Sequence, residues 1–261
     1  MDLLQYWLLV LGFFHLILFV TALFLFMPKK IFKTTFVEYY HLFITHFRYL
    51  IIIFSVVAVH LIEVNILDSY FTNIIGVDFA NNIQMIEGGA VYWFSQNWIP
   101  ALIYFFVFMY IVVYPFTLWF SPLYFIITDD KKAIKTLAYG LLLIYVIALP
   151  FYLFFPVTNV YTFYGAKSAL ETVIPSVESF FYSATTLNNC LPSLHVAMTL
   201  LIAKSVSVTK NKRYAYFTYF CAVSVILSVI YLAIHWITDV ICGVLLAFGV
   251  FYLQKKFISE K

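Results

Sequence analysis

The sequence is poor in charge: only 10% of its 261 residues are Asp, Glu, Lys or Arg. A soluble domain carries about 25% charged residues, because its surface must face water. A water-soluble globular enzyme is thereby excluded. Cysteine is sparse as well. Cys190, Cys221 and Cys242 show no paired or metal-type spacing, so neither a disulfide scaffold nor a metal cluster is expected. Also missing is a basic segment ahead of the first apolar run, since only Asp2 is charged there and Lys29, Lys30 and Lys33 follow it. The run 8–27 therefore reads as a stop-transfer first helix rather than a cleaved signal.

What the chain has instead is apolar residues, 64% of the total. Lipid is then the solvent for most of the molecule, and the backbone must satisfy its hydrogen bonds internally, as helices or a closed barrel. Long unbroken apolar runs select helices, because barrel strands are short and alternate. The expected fold is all-α, a polytopic membrane bundle of about seven spans, near 5–27, 44–66, 99–126, 133–156, 192–209, 214–234 and 236–254. No repeat or flexible linker divides it, so 1–261 reads as one membrane domain. Its catalytic core would be about 99–254, with 5–27 and 44–66 as additional N-terminal spans. The stretch 67–98 reads as a loop with a short amphipathic helix near 83–94, and 157–190 as a second long loop.

Basic residues fall three at a time into four segments: Lys29, Lys30 and Lys33; Lys131, Lys132 and Lys135; Lys210, Lys212 and Arg213; Lys255, Lys256 and Lys261. Seven spans put all four segments on one side and leave Lys167 as the only basic residue on the other. The positive-inside rule then orients the N-terminus outside and the C-terminus in the cytoplasm. Arg48 and Lys204 lie near cytoplasmic span ends, where they can snorkel to the interface.

Two short motifs return to the non-cytoplasmic face. The first, CLPSLHVA at 190–197, places Pro192, Ser193 and His195 at the mouth of the fifth span. The second, SVIYLAIHWITD at 228–239, places His235 and Asp239 one helical turn apart at the start of the seventh. Positions i and i+4 share a helix face, so Asp239 can hold one imidazole nitrogen of His235 and leave the other free as nucleophile or base. His195 can then protonate a leaving oxygen. The Pro192 bend and the start of a helix offer backbone N–H donors to an anion, and Ser193 adds a hydroxyl. These parts suit phosphoryl transfer through a phosphohistidine. His60 and Glu63, three apart, read as interface residues pairing with each other, and Glu87 as a further polar residue near the same face.

At these residues the chain resembles the type-2 phosphatidic-acid phosphatase superfamily. Pro192-Ser193-Leu194-His195 is similar to its Pro-Ser-Gly-His signature, with Leu194 for Gly. Ser228, His235 and Asp239 match the next signature in spacing, with Val229 where an Arg is usual. The wording Pro-Ser-Leu-His-Val-Ala, Phe155-Pro156 and the stretch 84–94 look like the branch containing the inositol phosphorylceramide synthases. The resemblance implies His235 as nucleophile, Asp239 orienting it, His195 as general acid and Ser193 bonding phosphate. The signature with a Lys and an Arg-Pro that clamps phosphate is not legible. Lys167 and the hydroxyls of Tyr161 and Tyr164 are the candidates to replace it. No cofactor and no metal is expected.

The leading expectation is therefore a phosphatase or phosphotransferase acting on a lipid phosphate, such as phosphatidate or an isoprenyl diphosphate, at the outer face of the plasma membrane. Its partners would be that substrate and membrane lipids, with no nucleic acid. The alternatives are a transferase of the inositol phosphorylceramide synthase type or, outside enzymes, a transporter or a haem or quinone protein. A transporter predicts inverted repeats or broken helices with midplane charges, and the sequence shows neither.

Overall fold

The computed structural model describes residues 3–182 and 185–257. Seven long helices follow one another: α1 (Leu3–Phe26), α2 (Phe36–Ile75), α3 (Pro100–Ile127), α4 (Lys131–Phe154), α5 (Leu194–Ser207), α6 (Lys212–Tyr231) and α7 (Ile237–Phe257). No strand occurs among the described residues, only an isolated bridge between Val157 and Asn189. Six of the helices are long and apolar enough to cross a membrane, and α5 is a shorter apolar helix. The expected all-α polytopic bundle is what the chain forms.

The helices correspond one for one with the expected spans, but three boundaries differ for physical reasons. The second runs over Phe36–Ile75 rather than 44–66. It starts in a capping box, Thr35 Oγ1 accepting from Glu38 N while the Glu38 carboxylate accepts from Thr35 N. It ends where Gly76 adopts φ 63°. Asp68, placed in the expected loop 67–98, and Glu63, expected at the interface, are buried against protein within a π-turn region, Glu63–Leu67, and the helix behind it. The helix expected near 83–94 is broken at Gly88, whose φ of 60° suits glycine, into Ala80–Glu87 and Tyr92–Gln96. The fifth span, expected at 192–209, is helical only over its 14 residues Leu194–Ser207. That is about 21 Å at 1.5 Å per residue, against a hydrocarbon core of about 30 Å.

Hydrogen bonds tie the lysine-bearing turns to one end of the bundle. Asn211 Nδ2 donates to Phe26 O at 2.7 Å and to Tyr124 OH at 3.1 Å. His46, fully buried on α2, pairs with Asp129 in the α3–α4 turn at 2.9 Å, and Gln254 Nε2 donates to Thr136 O at 2.7 Å. The opposite end is roofed by Ala80–Glu87 and Tyr92–Gln96 together with Val160–Phe163, Ala169–Val173 and Val177–Phe181. There Ile99 N donates to Tyr231 OH at 2.7 Å and Asn188 Nδ2 to Thr72 Oγ1 at 2.8 Å.

One apolar core lies toward the lysine-rich end, around Phe120, Phe125, Ile134, Leu201 and Tyr214. A second lies under the roof, around Val107, Leu170, Val229 and Trp236. The outer surface is apolar too: Phe24 is 76% and Phe54 65% exposed, as lipid-facing positions require.

Candidate active site

The chain turns sharply between α6 and α7. Ile234 N and His235 N both donate to Val229 O at 3.0 Å, and Ala233 is carried at φ 55°. A non-glycine residue in the left-handed region is strained, and such strain gathers at functional sites. His235 thus sits just ahead of α7 rather than in its first turn. Asp239 lies within that turn and caps it, its Oδ2 accepting from Trp236 N at 2.9 Å. The same oxygen lies 3.3 Å from His235 Nδ1.

α5 meets α7 at Gly243, where an added Cβ would lie 2.6 Å from Ser193 O. The close approach lets Ser193 N donate to Asp239 O at 3.0 Å and brings His195 over His235. His195 Nδ1 is 3.5 Å from His235 Nε2, and His195 Nε2 is 2.9 Å from Tyr110 OH. One assignment of hydrogens satisfies all four groups. Tyr110 donates to His195, His195 Nδ1–H donates to His235 Nε2, and His235 Nδ1–H donates to Asp239. The nitrogen of His235 opposite its carboxylate therefore carries the lone pair, as a nucleophile needs.

His195, His235 and Tyr110 line a cavity of about 390 Å³. Its walls are mostly aromatic and aliphatic, including Tyr114, Tyr152, Met198 and, from α2, Val56 and Val57. The span 44–66, expected as an addition to the catalytic core, supplies part of this wall.

His195, His235, Asp239 and Ser193 come together as the spacing implied. Ser193 is fully buried, and its Oγ accepts from Val196 N at 3.4 Å. Two of the first four N–H donors of α5, those of Ser193 and Val196, are thus committed internally, which narrows the expected anion site to Leu194 N and His195 N. Lys167 and Tyr164 are not brought to this cavity. Lys167 is exposed in the roof. Tyr164 stacks on Tyr92, with ring centroids 4.2 Å apart, and donates to Gly88 O at 3.1 Å. Tyr161 is buried with its hydroxyl donating to Glu178 at 3.3 Å.

The fold also assembles a donor set that linear spacing conceals. Cys190, His235 and Asp239 each present a ligand atom within 4.8 Å of the others, where no metal cluster was expected. Burial, with Asp239 nearby, pushes the Cys190 thiol well above its ordinary pKa. As a protonated thiol it faces Ile234 O at 3.7 Å, so packing accounts for it.

A model of the PAP2 superfamily matches residues 72–253. The chain belongs to the PAP2 superfamily. The match runs from the end of α2 through α7 and takes in both histidine motifs. An uncharacterized protein of Methanocaldococcus jannaschii is 30% identical over 99 residues, 37% of this chain, and the match spans 41% of that protein's length. No solved structure matches.

Within this PAP2 protein two site residues escaped the sequence motifs. Tyr110 touches His195 because α3 carries a π-turn, Met109–Val113, that presents it to the cavity. Such bulges are frequent at functional sites but have no local sequence signature. Tyr110→Phe removes one hydrogen bond, worth about 0.5–1.5 kcal/mol, so kcat/KM should fall roughly two- to tenfold with folding intact. A 100-fold loss would show that the phenol does more than position His195. The second is Glu87, whose carboxylate accepts from Ile237 N at 2.9 Å and Thr238 N at 2.6 Å. It occupies the start of α7 that an anion could otherwise use. Glu87→Ala should lower stability by about 1–2 kcal/mol through the lost cap, read as a lower thermal midpoint in detergent. An unchanged midpoint would mean that water replaces the carboxylate without cost.

Proposed function

We propose that this PAP2 protein is a lipid-phosphate phosphatase or phosphotransferase working through a phosphohistidine on the non-cytoplasmic face. The observation that carries this is the His235–Asp239 pair at 3.3 Å, with His195 3.5 Å from the opposite nitrogen of His235. In the reading offered, His235 Nε2 attacks phosphorus and its Nδ1–H stays on Asp239, which offsets the positive charge developing on the ring. His195, taking up a second proton as the phosphate binds, gives it to the leaving oxygen and returns to the neutral imidazole. The two imidazoles stand 3.5 Å apart, so the phosphoryl group must part them as it enters.

The apolar wall formed by Val56, Val57, Leu118 and Met198 supports a substrate with a hydrocarbon tail, such as phosphatidate or an isoprenyl diphosphate. The concentration of lysines at the other end of the bundle supports the non-cytoplasmic assignment, and we place the protein in the plasma membrane as part of the same proposal. Transfer to an alcohol, as in inositol phosphorylceramide synthesis, would use the same intermediate. A haem protein fits less well, because direct contact between His195 and His235 leaves no gap for a porphyrin.

The test is phosphate release from a panel of phosphatidate and isoprenyl mono- and diphosphates in mixed micelles, with and without inositol, followed also by lipid mass. Release or transfer from at least one lipid phosphate, with an acid-labile protein-bound phosphate on the way, is the expected result. Activity confined to water-soluble phosphates would sink the lipid assignment.

A further inference from the structure

The loop that carries the chain into α5 is held from more than one side. It lies along the segment after α4, where Val157 N donates to Asn188 O at 2.7 Å and Asn159 N to Leu187 O at 2.8 Å. Cys190 N returns a bond to Val157 O at 3.3 Å. A further hold comes from α2. Asn188 Nδ2 donates to Thr72 Oγ1 at 2.8 Å, and Asn189 Nδ2 donates to Glu63 Oε1. Glu63, expected at an interface, is completely buried. Its other oxygen accepts from Tyr145 OH at 3.2 Å and lies 3.4 Å from His60 Nδ1. A carboxylate inside a membrane bundle is costly and usually functional. Glu63 precedes the region that matches the PAP2 superfamily. It also opens the π-turn Glu63–Leu67, a distortion frequent at functional sites.

We propose, on the reading of His195 as proton donor to the leaving oxygen, that Glu63 is its positioning residue. It anchors the loop through Asn189 and so fixes the start of α5, six positions ahead of His195. The main-chain bonds to 157–159 tie one connecting segment to another. Glu63 ties both to a membrane-spanning helix, and through Tyr145 the same carboxylate joins α4. A loop seated on rigid elements holds a reacting group more precisely than a loop seated on another loop. Precision matters here, because the His195 ring has to reach the leaving oxygen from its place 3.5 Å from His235 Nε2. A misplacement of about 1 Å costs on the order of 100-fold in rate. What the anchor needs from residue 63 is an acceptor for the Asn189 amide. A carboxylate supplies it while accepting from Tyr145 on its other oxygen.

The test compares kcat and KM on phosphatidate in mixed micelles with those on nitrophenyl phosphate, whose phenolate leaves without a proton. Glu63→Ala should lower kcat on phosphatidate about 100-fold, leave KM within about twofold, and cost little on nitrophenyl phosphate. Asn189→Ala should give the same pattern, and the two substitutions together should do no more than either alone. Glu63→Gln still offers Asn189 an acceptor and should come back to within about tenfold of the wild-type rate. Folding is read from the elution profile. Asn189→Ala, which leaves α2 untouched, carries the test if Glu63→Ala elutes as aggregate. An unchanged kcat overturns the proposal, as does an equal loss on both substrates or a Gln variant as poor as Ala. NMR ring signals of isotope-labelled histidine give a readout that assumes no substrate. The His195 signals, identified by their loss in His195→Asn, should shift in Glu63→Ala and in Asn189→Ala. Signals that stay in place overturn the anchor whether or not any lipid phosphate is turned over. A wild-type protein inactive on every lipid phosphate overturns the proposed function instead.

Discussion

Replacing His235 with Ala is expected to abolish phosphate release from a lipid phosphate, with a loss on the order of 10⁵–10⁶, the scale seen when a covalent catalyst loses its nucleophile. The reason lies in the geometry. His235 Nε2 is the one nitrogen of the catalytic pair whose lone pair is set by a carboxylate behind the ring, and no neighbouring group can take its place by a small rotation. His195 is anchored instead to a phenol, and Cys190 is a buried thiol pushed toward its protonated form. Protein-bound phosphate should vanish together with turnover. Asp239→Asn should cost less, about 10³–10⁴, by analogy with the loss of an orienting aspartate from a catalytic triad. An Asn can still cap Trp236 N, so that variant should fold. Full activity in His235→Ala, with the protein eluting normally, would end the mechanism.

The second large effect is expected at His195, and it should depend on the substrate. A lipid alkoxide is a poor leaving group and needs a proton as it departs, so His195→Asn should cost about 10²–10⁴ with phosphatidate. A nitrophenyl phosphate leaves as a stabilised phenolate and needs no proton, so the same variant should lose little with it. Measuring kcat/KM for both substrates in wild type and variant gives the answer. An equal loss with both would assign His195 to holding phosphate instead of protonating the leaving group.

The helices and their order were legible because the physics is coarse: lipid demands long apolar runs, and such runs are visible in a single sequence. His195, His235 and Asp239 were legible because a short turn returns two adjacent helices to one end, and the four-residue spacing pairs His235 with Asp239 even though His235 lies just ahead of α7. What stayed hidden depends on departures from regular geometry. The role of Tyr110 rests on a π-turn, and Glu63 looked like the end of a span because a carboxylate in an apolar run normally marks one. Burial among Tyr145, His60 and Asn189 reverses that inference, and these partners lie on α4, α2 and the roof. Lys167 was singled out by elimination, as the only cation assigned to its side, and elimination carries no geometry. The 14-residue length of α5 was masked because flanking apolar residues look the same whether or not they are helical.

The shortness of α5 has a consequence for how such an enzyme would experience its substrate. On the proposed orientation, a helix of about 21 Å rooted at the cytoplasmic surface ends some 9 Å short of the far edge of the hydrocarbon layer. Ser193 and His195 cap that recessed end. A lipid phosphate would then approach sideways through the bilayer, keeping its tail in the phase where it already resides. Bulk concentration ceases to be the controlling variable under these conditions. Turnover would follow the mole fraction of the lipid in the surrounding membrane, so dilution with inert lipid would slow the enzyme as effectively as removing substrate.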